Sequence, residues 1–189
     1  MMKRILFIAV IASVCCAASC NSGGEENNEY TGDEENTEPK NDALKGMIIV
    51  SLLEYGLPIW VTVPDTLSAH LDVTVSDWGQ VEIRSGNNFQ MSIADGGDIK
   101  LRKEDINSDL LFSDPKILLE EPEGIVYSQG VKNDEYFKPI NHFYVVKNIN
   151  GRDYEFKDIA GDYHYPERVV IKMFEAAKVA EADDRKPNS

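Results

Sequence analysis

Between Leu71 and Ile93 the chain alternates apolar and polar side chains in three successive runs, a pattern few folds accommodate. Leu71, Val73 and Val75 interleave with Asp72, Thr74 and Ser76. Val81 and Ile83 interleave with Glu82 and Arg84, and Phe89, Met91 and Ile93 with Gln90 and Ser92. Successive side chains of a strand point to opposite faces, so each run reads as a strand with one dry and one wet face. The connectors Asp77-Trp78-Gly79-Gln80 and Ser85-Gly86-Asn87-Asn88 are short and polar. Such turns join antiparallel neighbours, and antiparallel sheets tolerate one solvated face. The pattern therefore predicts a meander with Phe89, Met91 and Ile93 in the core.

The flanking segments extend a sheet of this kind. Met47–Leu53 and Leu57–Val63 are β-branched and apolar runs separated by Glu54-Tyr55-Gly56, with Pro58 at an edge or first-residue place and Trp60 assigned to the core. After Ala94-Asp95-Gly96-Gly97, Asp98 is a good N-cap for a helix expected over Ile99–Leu111, with Ile99, Ile106 and Leu110 on its apolar face. Lys116–Glu120 and Ile125–Ser128 read as short strands about a Pro-Glu-Gly turn. His142–Asn148 and Arg152–Ile159 flank Asn150-Gly151, the dipeptide that favours a type I′ hairpin turn. Pro166-Glu167 opens a closing helix whose stripe Val170, Met173, Phe174 and Ala177 is to dock on the sheet.

These elements predict an α+β fold: an antiparallel sheet of six to eight strands, with an internal helix and a C-terminal helix packed on one face. The order of strands, central helix, hairpins and final helix over Met47–Ala180 resembles the PsbP-like fold, which includes several bacterial lipoproteins. The resemblance carries no functional motif.

The first twenty residues set the expected location. Lys3 and Arg4 precede an uncharged run from Ile5 to Ala18, and Ala17-Ala18-Ser19 places small side chains before Cys20. Positive start, apolar run and small-residue site together read as an export signal, and the run is shorter than the roughly 20 apolar residues of a bilayer span. The cysteine that follows resembles the lipobox of bacterial lipoproteins. That resemblance implies cleavage before Cys20 and acylation of its thiol, giving an outer-membrane lipoprotein on the cell surface or the periplasmic side. Asn21–Ala43 holds eight acids against Lys40 and no aliphatic side chain larger than Ala, a composition that does not repay ordering entropy. As a flexible coil it reaches about 25 Å. The chain thus divides into signal (1–19), acidic tether (20–43), α+β domain (44–181) and a charged, fraying tail (182–189).

Composition then narrows the chemistry. A net charge of −14 repels nucleic-acid phosphates and anionic headgroups, so the membrane is to be met through the N-terminal lipid and nucleic acid is not an expected partner. All three cysteines, Cys15, Cys16 and Cys20, lie within the first twenty residues. The mature domain keeps no thiol for a disulfide, a zinc site or a nucleophile.

Asp162 and His164, two apart, could form a carboxylate–imidazole pair for an envelope hydrolase. Yet the chain has neither a Gly-x-Ser-x-Gly elbow nor a His-Glu-x-x-His zinc motif. Asp95-Gly-Gly-Asp98 and Asn148–Asp153 place oxygens around glycines as calcium loops do, a pattern that would suit a calcium-stabilised adhesin module. Both are equally explained as a helix cap and a hairpin turn. Aromatics in turns and loops remain: Trp78, Tyr136, Phe137, Tyr163 and Tyr165, with His164 among them. Exposed, they would serve as contacts for a protein or glycan partner. The sequence therefore reads as a lipid-anchored envelope binding or accessory module, with no cofactor, metal or catalytic residue assigned.

Overall fold

The computed structural model describes residues 44–67, 70–159, 161 and 164–185. The strands are β1 (Met47–Ser51), β2 (Ile59–Pro64), β3 (Leu71–Val75), β4 (Val81–Ser85) and β5 (Phe89–Asp95), followed by helix α1 (Ile99–Ser108). Then come β6 (Lys116–Glu121), β7 (Gly124–Gln129), β8 (Ile140–Ile149) and β9 (Arg152–Asp158), helix α2 (Glu167–Lys178) and the two-residue β10 (Glu181–Ala182). The larger sheet has seven strands in the order β3-β4-β5-β9-β8-β7-β6, and the smaller has three, β1-β2-β10. All pairs are antiparallel. The expected α+β class and strand number hold.

Local chemistry accounts for most elements. The meander of β3, β4 and β5 forms in the register Val73↔Ile83↔Met91. The β8–β9 hairpin turns through Asn150 (φ 52°) and Gly151 (φ 80°), so Ile149 faces Arg152. Asp98 caps α1, its Oδ1 accepting the amides of Lys100 at 2.8 Å and Leu101 at 3.0 Å. The helix stops at Ser108, short of Leu111, because the Asp109 side chain accepts the Leu111 and Phe112 amides and turns the chain outward. Leu110, expected on the apolar face, is 86% exposed.

The expectation of both helices on one face of the sheet does not hold: both faces carry apolar side chains, and the helices take one each. Val126, Phe143, Val145, Phe156, Met91, Ile93, Val81 and Ile83 share a core with Val170, Met173, Phe174 and Ala177 of α2 and with Ile59, Val61 and Val63 of β2. Burying side chains such as Met173 and Phe174 contributes about 1.5–3 kcal/mol each. Gly124 lets β7 pass beneath the helix: a Cβ there would lie 2.6 Å from Phe174 Cε2 and 2.9 Å from the Tyr144 carbonyl. On the opposite face α1 rests on Ile125, Tyr127 and Tyr144 through Ile106 alone among its own buried residues.

Two expectations need correction at the small sheet. Trp60 is half-buried, because β2 turns Ile59, Val61 and Val63 inward and Trp60 to the other side, where the Arg185 guanidinium lies 4.2 Å from its ring centroid. Residues 182–185 do not fray. Ala182 pairs with Ile59, the Asp183 amide donates to the Pro58 carbonyl at 2.9 Å, and the Asp183 carboxylate is buried against Ser51 and Arg185. Among the described residues no helix is long and apolar enough to cross a membrane.

Candidate functional site

The register of the large sheet determines where polar chemistry collects. Thr74, Glu82, Ser92, Lys157, Tyr144, Ile125 and Glu120 form one transverse row on the face away from α2. Its apolar members lie only under α1. Over β4, β5 and β9 that face stays polar, and α1 stands beside it as a wall. Gly97, at φ +110°, makes the approach possible, since a Cβ there would lie 2.9 Å from the Glu155 Cβ. The result is an open groove of about 840 Å³, with Glu82, Ser92, Glu155 and Lys157 on one side and Leu101, Arg102 and Asp105 on the other.

At one end of this groove Asp158 breaks an otherwise apolar row. Register places it on the core-facing side with Val73, Ile83, Met91, Val126 and Leu119. The β8–β9 ladder ends at Tyr144↔Lys157, and the Asp158 carboxylate takes over from the backbone. Its Oδ1 accepts the Phe143 amide at 3.0 Å and its Oδ2 meets His142 Nδ1 at 2.8 Å. Because a carboxylate oxygen accepts, Nδ1 is the donor and Nε2 is the ring's other polar atom. The His142 ring lies 5.2 Å from that of Tyr127, whose hydroxyl accepts from Arg102 at 3.0 Å.

A second polar cluster lines the floor. The Tyr144 hydroxyl donates to Glu155 Oε2 at 2.9 Å, and Lys157 donates to Glu155 Oε1 at 2.6 Å. Burial, reinforced by the Glu155 carboxylate, pushes the Tyr144 hydroxyl far up, so it remains a donor. Burial likewise raises Tyr127. Ser92 donates to Gln80 at 2.9 Å. The site is thus a set of fixed donors and acceptors rather than a single nucleophile.

The residues singled out from sequence lie elsewhere. Trp78 in the β3–β4 turn is 89% exposed and Tyr136 is 97% exposed, as a contact role requires. Phe137 is half-buried, with its ring 6.0 Å from that of exposed His164. Tyr165 is not a surface contact: it is 3% exposed and packs in the main core, because it carries the chain into α2. Cys20, Asp162 and Tyr163 lie outside the described residues. None of Trp78, Tyr136, Phe137, His164 and Tyr165 lines the groove. The oxygen-rich loops are engaged within the fold. Asp95 forms a two-point pair with Arg152, Asp98 caps α1, and Asn148 bonds Asp153 at 2.7 Å and the Gly151 amide at 3.1 Å.

Sequence reasoning missed His142 and Asp158, although a signal was present. An Asn-Gly turn that sets Ile149 opposite Arg152 also sets Phe143 opposite Asp158, which brings His142 beside that carboxylate. Comparison with family models, with curated proteins and with solved structures finds no match to this chain.

Proposed function

We propose that this chain is a lipid-anchored binding module of a bacterial cell envelope, with a PsbP-like order of elements, acylated on Cys20 and holding a glycan in the groove beside α1. The groove is the observation that carries the binding reading. Glu82, Asp98, Asp105, Glu155 and Asp158 supply acceptors there, against the donors Arg102, Lys157 and His142. Mixed donors and acceptors suit hydroxyl groups, and the excess of carboxylates disfavours phosphate. Leu101, 56% exposed at the mouth, offers an apolar edge to a sugar ring. The tether restricts the partner to the near envelope, on the surface or the periplasmic side of an outer membrane. A protein partner gripped by Trp78 and Tyr136 is the other form of the same module.

The test is a screen of envelope glycans against the purified chain and against Asp105→Asn and His142→Ala. A glycan bound by the parent and weakened in both variants supports the reading; a screen with no binder, or binding indifferent to both changes, overturns it. Mass spectrometry of the natively expressed N-terminus tests the anchor separately.

One observation favours an enzymatic alternative, an envelope hydrolase: a histidine–carboxylate pair, His142 and Asp158, faces the groove. Turnover of an envelope substrate that is lost in His142→Ala, or in His164→Ala for the pair first read from sequence, would replace binding with catalysis.

A further inference from the structure

We infer that β1 is an interface through which two copies of this chain pair edge to edge about a two-fold axis at Ile49. A sheet edge presents unpaired backbone donors and acceptors, and proteins blunt such edges with charge, proline, bulges or short length. Among the described residues the two sheets have four edges, and three of them are protected in that way. β6 carries Lys116, Glu120 and Glu121 and a register shift between Ile117 and Leu119. β3 carries Asp72 at its second position. β10 is two residues long and runs into Asp183, Asp184 and Arg185. β1 has none of these devices: it reads Met-Ile-Ile-Val-Ser, pairs regularly with β2, and leaves Ile49 55% exposed.

The hydrogen-bond parity of β1 makes it complementary to itself. The Leu52 amide donates to the Ile59 carbonyl, and the Asp65 amide to the Gly46 carbonyl. Even-numbered residues of the strand therefore bond β2, and the backbone groups of Met47, Ile49 and Ser51 point outward. Antiparallel pairing about Ile49 sets Ile49 against its own copy and Met47 against Ser51, so all three outward residues find partners.

Charge selects the same edge. Two copies of a chain with net charge −14 repel, and meeting at β3 or β6 would bring the charged side chains of Asp72, or of Lys116, Glu120 and Glu121, into the seam. At β1 no charge is opposed. The antiparallel arrangement instead brings exposed Lys45, just before one strand, to the end where exposed Glu54 follows the other. The acidic segment 21–43 of the same chain, with eight carboxylates and no apolar alternation, is a poor occupant for this edge. One five-residue strand pair buries less than a stable interface of about 1,200 Å², so the dimer is weak and depends on concentration.

Disulfide trapping tests the register. In the full chain with Cys15, Cys16 and Cys20 replaced by Ser, Ile49→Cys places two thiols on a hydrogen-bonded pair about 5.5 Å apart at Cα, within disulfide range. Met47→Cys leaves its thiols about 13 Å apart along the strands, and Ile117→Cys on β6 serves as a second control. Oxidised dimer on a non-reducing gel is expected to accumulate at least about tenfold faster for Ile49→Cys than for either control. Added salt is expected to speed it further by screening the like net charge. Equal rates at the three positions, or a monomer throughout, would overturn the proposal.

Discussion

Asp158 and His142 meet at 2.8 Å where the β8–β9 ladder comes apart, and the same carboxylate closes the ladder by accepting the Phe143 amide at 3.0 Å. One side chain therefore serves both the fold and the groove. Removing it should leave a largely buried amide without an acceptor, at about 1–3 kcal/mol. Asp158→Ala is expected to lower stability in urea by that amount. Asp158→Asn, whose amide oxygen still accepts, should lose less, and His142→Ala, at the groove surface, should lose least.

Asp183 links the C-terminal residues to β1 and β2. The Arg185 guanidinium, helped by the Ser51 hydroxyl, holds its carboxyl well below the usual carboxylate range. A folded-state value below the unfolded value of about 3.9 means the unfolded chain binds this proton more readily. The stabilisation is present above that unfolded value and is lost as pH falls below about 4 towards the folded value. Acid titration of stability should show this limb in the parent and a shallower one in Asp183→Asn.

Gly124 and Phe174 fix the spacing of β7 beneath α2. Because a Cβ at Gly124 meets both the Phe174 ring and the Tyr144 backbone, Gly124→Ala is expected to cost about 1–3 kcal/mol through overpacking. Phe174→Ala opens a cavity instead and should cost about 3–5 kcal/mol. Chemical denaturation of both variants checks the two signs of the same packing argument.

Helix α1 stands on Ile106, aided by Arg102 on Tyr127 and by the Gln129 amide on the Ile106 carbonyl at 3.2 Å. Few buried contacts imply low local stability. Amide hydrogens of α1 should exchange faster than those of α2. Ile106→Ala, at about 2 kcal/mol or more, should speed them further while leaving α2 protected.

Trp78 and Tyr136 contribute little to the fold at their exposures of 89% and 97%. Trp78→Ser and Tyr136→Ser are expected to shift stability by less than about 0.5 kcal/mol. Loss of a cross-linked envelope partner in either variant, with melting unchanged, would mark that ring as a contact.

How much was legible in the sequence can be followed residue by residue. Period-two alternation placed Phe89, Met91 and Ile93 in the core, where they are buried, and Asn150-Gly151 specified its hairpin, because strand pleat and positive φ are local properties. Leu110 misled, since the Asp109 turn that ejects it competes with helix only through a side-chain hydrogen bond. Tyr165 misled because a loop residue's burial depends on what lies beneath it.

The sequence by itself determined the meander, the Asn-Gly hairpin and the dry faces of β5 and α2, since these follow from spacing and turn chemistry within a few residues. Only the tertiary structure decided that β5 pairs with β9, that α1 and α2 take opposite faces, and that a groove opens between α1 and the polar strands. Those outcomes depend on long-range registers. A one-residue slip would have sent every side chain of a strand to the other face.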